Sequence, residues 1–212
     1  MVTICPTITV ETADDYRLQM ERLEPFAHRL HIDLADGDFA PRRLLSFDKI
    51  WWRGDRTIDI HVMYRYPVDH AEIILALNPR LVIVHAEAEG NLANFADHLH
   101  QHGIEFGAAL LQPTKVEVIE PLLEHLDHVL VFSGNLGYQG GSEVDENLFK
   151  KVTAIRHLKP TVEIGWDGGV NDRNAKAIAE AGADVLNVGG FIQNASDPAA
   201  AYAALRQAVR AV

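Results

Sequence analysis

The chain alternates between strand-like and helix-like segments, and it does so eight times. Eight short runs are rich in Val, Ile and Leu and lack the strict polar alternation of a half-exposed strand. Strands of this composition are typical of parallel sheets that are buried on both faces. The predicted strands are residues 2–9, 29–34, 57–62, 81–85, 105–111, 128–132, 161–166 and 184–188.

Helical spacing separates these runs. Leu92, Phe95 and Leu99 would share one face of a helix, and residues 198–212 are rich in alanine, a strong helix former. Eight β-α units in this chain average about 26 residues each, which is enough for a (β/α)8 barrel. The sequence therefore predicts an α/β fold, a TIM barrel of eight parallel strands in one domain over residues 1–212. An open doubly wound sheet is the alternative, but such sheets usually have fewer strands.

Composition and charge narrow the classes of function. With 48% hydrophobic residues, the chain of 212 residues can bury a sizeable core. The formal net charge of -11 argues against a nucleic-acid partner, because phosphate backbones are bound by stripes of Lys and Arg. A small anion is still compatible with this charge, since backbone N–H groups can bind phosphate.

Other bulk features concern the compartment. The single cysteine, Cys5, allows no intramolecular disulfide, and we expect it to be a small buried side chain. No apolar run approaches the roughly 20 residues that a membrane helix needs, and the N-terminus lacks the pattern of a signal peptide. We therefore expect a cytoplasmic protein that has neither membrane nor nucleic acid as a partner.

Four polar residues lie at or next to the ends of predicted strands: His31, Asp33, His61 and Asp167. In a TIM barrel, the C-terminal ends of all strands meet at one mouth, where active sites lie. Two imidazoles and two carboxylates suit one divalent transition metal, Zn²⁺, Fe²⁺, Mn²⁺ or Co²⁺. The sequence therefore predicts a metal site with these four residues as ligands. His85 ends the fourth strand, and it could either line this mouth or simply be packed there.

Glycines follow the last three predicted strands, where an anion site is expected. They are Gly137, Gly140 and Gly141 after the sixth strand, Gly168 and Gly169 after the seventh, and Gly189 and Gly190 after the eighth. Phosphate sites in TIM barrels are often built from the loops after strands seven and eight. Glycine lets the backbone approach a phosphate closely and offer its N–H groups. These clusters favour a phosphorylated ligand.

Together these motifs resemble the ribulose-phosphate 3-epimerase family over nearly the whole chain. The markers are Ile4-Cys5-Pro6-Thr7, the H-x-D-x-x-D-G-x-F-x-P string that begins at His31, D-x-H-x-M beginning at Asp59, Val84-His85-Ala86-Glu87-Ala88, the Gly137 loop, D-G-G-V beginning at Asp167, and A-G-A-D-V beginning at Ala181. The resemblance implies that His31, Asp33, His61 and Asp167 bind the catalytic metal, and that Asp33 and Asp167 are also the acid/base pair. It further implies that the glycine pairs after strands seven and eight bind the phosphate.

Several positions depart from the family pattern. Thr7 stands where the family usually has Ser. Of the methionines that shield the reaction centre in the relatives, this sequence keeps Met63. The other departures are Ala35 and Phe132 in place of methionines, Asp38 in place of a histidine, Leu111 in place of an asparagine, and Gln139 in the glycine loop. The metal and acid/base residues are thus intact, and the expected change is in the pocket wall. Thr7 and Met63 are predicted to contact the substrate.

The resemblance implies conversion of D-ribulose 5-phosphate to D-xylulose 5-phosphate in the pentose phosphate pathway, by an enzyme that is a homo-oligomer. Three alternatives remain at this point. The altered wall leaves room for a hexulose phosphate such as allulose 6-phosphate. Decarboxylases and aldolases with the motif D-x-K-x-x-D are disfavoured, because the segment from Asp33 to Asp38 lacks the lysine. A non-catalytic sugar-phosphate-binding protein is disfavoured by the complete set of metal ligands.

Overall fold

Eight parallel strands close into a barrel in the computed structural model, which describes residues 2–210 and 212. Each strand pairs with its neighbours in sequence, and the eighth pairs with the first. The strands are β1 (Thr3–Ile8), β2 (Arg29–Ala35), β3 (Thr57–Met63), β4 (Leu81–His85), β5 (Glu105–Leu110), β6 (His128–Phe132), β7 (Glu163–Asp167) and β8 (Val185–Val188). The predicted (β/α)8 fold is confirmed, and each of the eight strands overlaps its predicted run.

Helices surround the barrel. They are α1 (Ala13–Leu23), α2 (Ala71–Leu77), α3 (Leu92–His100), α4 (Phe149–Leu158), α5 (Ala175–Glu180), α6 (Gly190–Gln193) and α7 (Pro198–Ala208). The predicted helix 198–212 begins where expected, because Asp197 caps it by accepting a hydrogen bond from the backbone N–H of Ala200. Ala211, within that prediction, lies outside the described residues, as does Met1 of the predicted domain.

Two of the connections contain a 3₁₀ helix and no α-helix. Between β2 and β3 it is the single turn Phe47–Lys49. Between β5 and β6 it is the longer segment Val116–His125, with Pro121 in its interior. Proline lacks the N–H that an α-helix would use at this position, and its ring clashes with the preceding turn. Along the part of the chain that the structure describes, no helix is long and apolar enough to span a membrane.

Side chains alternate between the two surfaces of the barrel wall, as the period of a strand requires. Ile32, Ile60 and Val82 point outward and join the large core that lies between the barrel and the helices. Leu81, Ile83, Ala109 and Leu130 form a smaller apolar cluster in the barrel interior. This apolar layer separates the polar groups at the two ends of the barrel.

The end opposite the mouth is closed by a network of charged side chains. Arg29 donates to Asp59 at 2.7 Å and to both carboxylate oxygens of Glu163, at 2.8 and 2.7 Å. Arg80 lies 3.0 Å from Asp59, and His128 Nδ1 lies 2.8 Å from Glu163 Oε2. Burial alone would raise the pKa of Glu163, but the hydrogen bonds from Arg29 and His128 outweigh it and hold this pKa well below its ordinary value.

We expect Glu163→Gln to lower the free energy of unfolding by about 2–3 kcal/mol at pH 7, because it leaves the half-buried Arg29 without its two-point partner. A carboxylate whose pKa is depressed by folding stabilises the fold above its unfolded pKa, and this contribution is lost as the pH falls towards the folded value. The difference between wild type and variant should therefore narrow below about pH 4.5. Urea unfolding at several pH values measures it.

Glu105→Gln is the matched control. Glu105 lies in the same layer and pairs with Arg80 at 2.8 Å, but its side chain is 41% exposed. Exposed pairs contribute at most about 1 kcal/mol. A Glu163 variant as stable as the Glu105 variant at pH 7 would contradict the importance given to this network.

Candidate metal centre and active site

The four predicted metal ligands converge at the mouth of the barrel. Asp33 and His61 are partners in the register of β2 and β3, and Asp167 ends β7. His31 precedes Asp33 by two residues and therefore shares its inward face. One ligand atom from each residue lies within 4.8 Å of all the others. The structure thus brings together the two imidazoles and two carboxylates that the sequence predicted.

The distances fit a tetrahedral ion. His31 Nε2 lies 3.2 Å from Asp33 Oδ1 and 3.6 Å from Asp167 Oδ2, and His61 Nδ1 lies 3.0 Å and 4.0 Å from the same two oxygens. Metal–ligand bonds of about 2.1 Å place tetrahedral ligand atoms about 3.4 Å apart. Within the described residues, His31 Nε2 and Asp167 Oδ2 are buried without a hydrogen-bond partner, which is costly unless another group pairs with them. These residues therefore fit a divalent metal.

The electrostatics of the cluster also favour a cation. Burial, together with the nearby Asp33 carboxylate, raises the pKa of Asp167 to about 7. Burial would also raise the pKa of Asp33, but hydrogen bonds and charge from the two histidines outweigh it and lower this pKa. Burial lowers the pKa of His61 to about 4. Two carboxylates that share a buried site repel each other, and a cation between them relieves that repulsion.

Thr9 contacts Asp33, and the sequence did not reveal this. Its hydroxyl donates a hydrogen bond of 2.6 Å to Asp33 Oδ2, while Asp33 Oδ1 faces the two imidazoles. The two oxygens of this carboxylate thus have different environments. The alternation of Thr7 and Thr9 at the end of β1 was a signal in the sequence that both hydroxyls would face the mouth.

His85 lines the same end of the barrel, behind His61. It is fully buried, and its Nε2 lies 3.0 Å from His61 Nε2. Its ring packs against those of Phe39 and Phe132, with centroids 4.8 and 5.5 Å away. Of the two placements that the sequence left open for His85, the structure shows the packed one, since the ring is fully buried behind His61 and does not open onto the mouth.

A cavity of about 260 Å³ opens at the barrel mouth beside the cluster. Asp33 and Asp167 both line it, whereas His31 and His61 lie behind its wall. Every residue predicted to contact substrate or phosphate also lines it: Thr7, Met63, Gly137, Gly140, Gly141, Gly168, Gly169, Gly189 and Gly190. The structure therefore places the two predicted acid/base residues and the glycine loops around one space.

The glycine loops approach each other so closely that side chains would not fit. A Cβ atom on Gly168, whose φ is +114°, would lie 2.3 Å from the backbone N of Gly134. A Cβ on Gly190 would lie 3.0 Å from the Cα of Gly140. The loops after β6, β7 and β8 thus present bare backbone to the cavity.

The departures from the family pattern affect the cavity unequally. Phe132 and Gln139 line it, and Gln139 Nε2 donates to the backbone oxygen of Thr7 at 3.2 Å. Ala35 is buried in a small cluster with Met63, and neither Asp38 nor Leu111 lines the cavity. Apart from Thr7, which keeps a hydroxyl, the departures that line the cavity are therefore Phe132 and Gln139.

The sequence also missed Asn187, which lines the cavity from β8. Both polar atoms of its side-chain amide are buried without a hydrogen-bond partner among the described residues. A polar residue within an otherwise apolar strand, two positions before Gly189, was the signal that could have identified it. Its free amide is available to a polar ligand.

We expect Gly168→Ala to lower the free energy of unfolding by about 3 kcal/mol or more, because the new methyl group meets backbone and the φ angle is strained. Gly141→Ala is the control, since its φ is +75° but its Cβ would meet nothing within 4 Å. In the Gly141→Ala variant, the free energy of unfolding should fall by only about 1–2 kcal/mol, from the strained backbone conformation alone. Thermal unfolding measures the stability of both variants. Equal losses of stability would contradict the close approach of Gly168 to the backbone of Gly134.

We expect Zn²⁺ or Mn²⁺ to stabilise the metal-free protein, by about 2.7 kcal/mol when the free metal is 100-fold above its Kd. His31→Gln should abolish this gain by removing one ligand. His157→Gln, at an exposed histidine of α4, should keep it. The midpoint of thermal unfolding, measured with and without metal, reports this stabilisation. Equal stabilisation of the wild type, His31→Gln and His157→Gln would contradict the assigned metal site.

Comparison with known proteins agrees with this arrangement. Residues 3–193 match the model of the ribulose-phosphate 3 epimerase family. A ribulose-phosphate 3-epimerase of Mycobacterium bovis is 32% identical over 185 residues, which cover 84% of this chain and 80% of that protein. One from Schizosaccharomyces pombe is 30% identical over 186 residues, covering 85% and 81%.

Among solved structures, 3-hexulose-6-phosphate synthase from Salmonella typhimurium superposes with a TM-score of 0.72 at 13% identity, over 99% of each chain. At this identity the likeness concerns the fold alone. The family match and the identities to the two named relatives extend over most of the chain. The chain therefore belongs to the ribulose-phosphate 3-epimerase family of isomerases.

Proposed function

We propose that this protein is a metal-dependent 3-epimerase of a ketose phosphate, which interconverts D-ribulose 5-phosphate and D-xylulose 5-phosphate. One observation carries the proposal: Asp33 and Asp167 reach a single cavity from β2 and β7, with bare glycine backbone on another side of it. Membership of the family supports the same reaction.

Epimerisation at a carbon next to a ketone requires a proton to leave one face and another to reach the opposite face. Two acid/base groups on either side of a planar enediolate meet this need. In our proposal, Asp33 and Asp167 take these roles, one as base and the other as acid, and exchange them in the reverse direction. The Thr9 hydroxyl, which donates to Asp33 Oδ2, would hold that carboxylate in a fixed orientation.

The four clustered side chains would hold the metal, with His31 and His61 serving as ligands only. When bound, a divalent metal supplies a Lewis acid that polarises the carbonyl oxygen and offsets negative charge as it develops. The backbone N–H groups of Gly168 and Gly169, together with those of Gly189 and Gly190 in the loop after β8, would bind the phosphate. Holding the phosphate would in turn fix the position of the reacting carbon. Met63 and Phe132, which line the cavity, would exclude water from it.

The cavity lining supports an epimerase over the decarboxylase and aldolase alternatives. Those enzymes depend on the lysine of D-x-K-x-x-D, and in this chain the position is Ala35, which is buried beside Met63. No lysine of residues 2–210 is among those that line the cavity. The remaining choice concerns the length of the sugar.

A panel of ketose phosphates tests the proposal. Purified protein is freed of metal, then assayed with Zn²⁺, Mn²⁺, Fe²⁺ or Co²⁺ on ribulose 5-phosphate, xylulose 5-phosphate and allulose 6-phosphate. We expect the highest kcat/KM on the pentulose phosphates. Faster turnover of allulose 6-phosphate would show that the substrate is a hexulose phosphate instead, with the same type of reaction. If the protein binds sugar phosphates but turns none of them over under any of these conditions, the proposal that it is an epimerase is refuted.

We expect Asp167→Asn to lower kcat by at least about 10²–10⁴-fold, because an amide cannot exchange the proton that the mechanism requires. Asp33→Asn should have a similar effect. Asp172→Asn, an exposed aspartate in the loop after β7, is the matched control and should stay near wild type. Circular dichroism checks that each variant is folded. An Asp167 variant with near-normal kcat would overturn the two-base assignment.

The organisation as one domain over residues 1–212, the homo-oligomer and the cytoplasmic location stay predictions of the sequence.

A further inference from the structure

A chain of contacts leads from the candidate metal centre into the wall of the barrel, and the proposed reaction does not use it. His61 Nε2 lies 3.0 Å from His85 Nε2, and His85 Nδ1 lies 3.4 Å from Glu87 Oε2. The other carboxylate oxygen of Glu87 accepts a hydrogen bond of 3.1 Å from the backbone N–H of Leu111. Both histidines are fully buried, and Glu87 is partly buried.

The direction of each contact follows from the metal site. His61 can bind a metal through Nδ1 only if Nδ1 carries no proton, so its proton lies on Nε2. His61 Nε2 then donates to His85 Nε2, which has to accept. A neutral His85 that accepts at Nε2 carries its proton on Nδ1, which faces the Glu87 carboxylate.

The surroundings restrict these groups. His85 Nδ1 and Glu87 Oε2 are buried atoms that have no hydrogen-bond partner in the described part of the chain, and the 3.4 Å that separates them is a close polar contact rather than a formed hydrogen bond. The rings of Phe39 and Phe132 pack on His85. The bond from Leu111 fixes the carboxylate of Glu87 at the far end.

A competing arrangement shows why such a chain is needed. Asp33 Oδ1 lies 3.0 Å from His61 Nδ1, and a carboxylate at that distance favours a proton on Nδ1. That tautomer would block the nitrogen that faces the metal site. An acceptor on the other side of the ring, at His85, favours the proton on Nε2 instead.

We propose that His85 and Glu87 are positioning residues, which hold His61 in the tautomer and ring orientation that leave Nδ1 free for the metal. This proposal rests on the proposed metal-dependent function. Partners that orient a metal-binding histidine in this way typically change metal affinity by about 10–100-fold when they are removed.

Zinc affinity is the first test, measured by competition with a chromophoric chelator at fixed pH. His85→Leu removes the acceptor and should weaken Zn²⁺ binding about 10–100-fold. His85→Gln, whose amide oxygen can accept from His61, should recover most of the affinity. Glu87→Gln turns a donor towards His85 Nδ1 and should cause a smaller loss. His128→Gln is the control, since that buried histidine lies at the opposite end of the barrel and should leave Zn²⁺ affinity unchanged.

The tautomer of His85 is the second test, and it uses the wild-type protein. In the zinc-loaded protein with ¹⁵N-labelled histidine, long-range ¹H–¹⁵N NMR should show His85 protonated on Nδ1 alone. A proton on His85 Nε2 would overturn the proposal even if His85→Leu does not fold. Equal Zn²⁺ affinity of wild type and a folded His85→Leu would overturn it as well. Failure of the wild type to bind any metal would refute the proposed function itself.

Discussion

Closure of the parallel sheet fixes the position of every polar group at the barrel mouth. Because β8 pairs with β1, no strand has a free edge, and the register between neighbours is set around the whole barrel. Asp33 is thereby placed opposite His61, and Phe132 opposite Asp167. A slip of one residue in any pair would turn these side chains towards the helices.

The barrel has two polar ends that differ in how their charges are balanced. At the closed end, Arg29 and Arg80 supply positive charge to Asp59 and Glu163, so these carboxylates are paired within the protein. At the mouth, two carboxylates face two imidazoles, and Asp167 Oδ2 has no hydrogen-bond partner among the described residues. The closed end can therefore stabilise the fold by itself, whereas the residues at the mouth could hold a cation. This division fits the general separation of stability and function between the two ends of TIM barrels.

Much of this could be predicted from the sequence, because strands and strand ends are local features. The apolar runs predicted all eight strands. β7 begins two residues later than predicted, because the backbone N–H of Val162 forms a turn with the backbone oxygen of Lys159. The 3₁₀ segment around Pro121 was missed, and the proline was its signal. Contacts such as Thr9 with Asp33 and His85 with His61 join residues 24 positions apart. They depend on how side chains are oriented across neighbouring strands, which no local pattern encodes.

The close approach of the loops after β6 and β7 has a consequence for how such a site can change. Any side chain at Gly168 would meet the backbone of Gly134, so the glycine backbone on that side of the cavity is held in place by its neighbours. Phe132 and Gln139 face the same cavity from the side of β6 with side chains rather than bare backbone. Under the proposed function, a change in the accepted sugar would therefore proceed through these two side chains, while the backbone proposed to bind the phosphate stays the same.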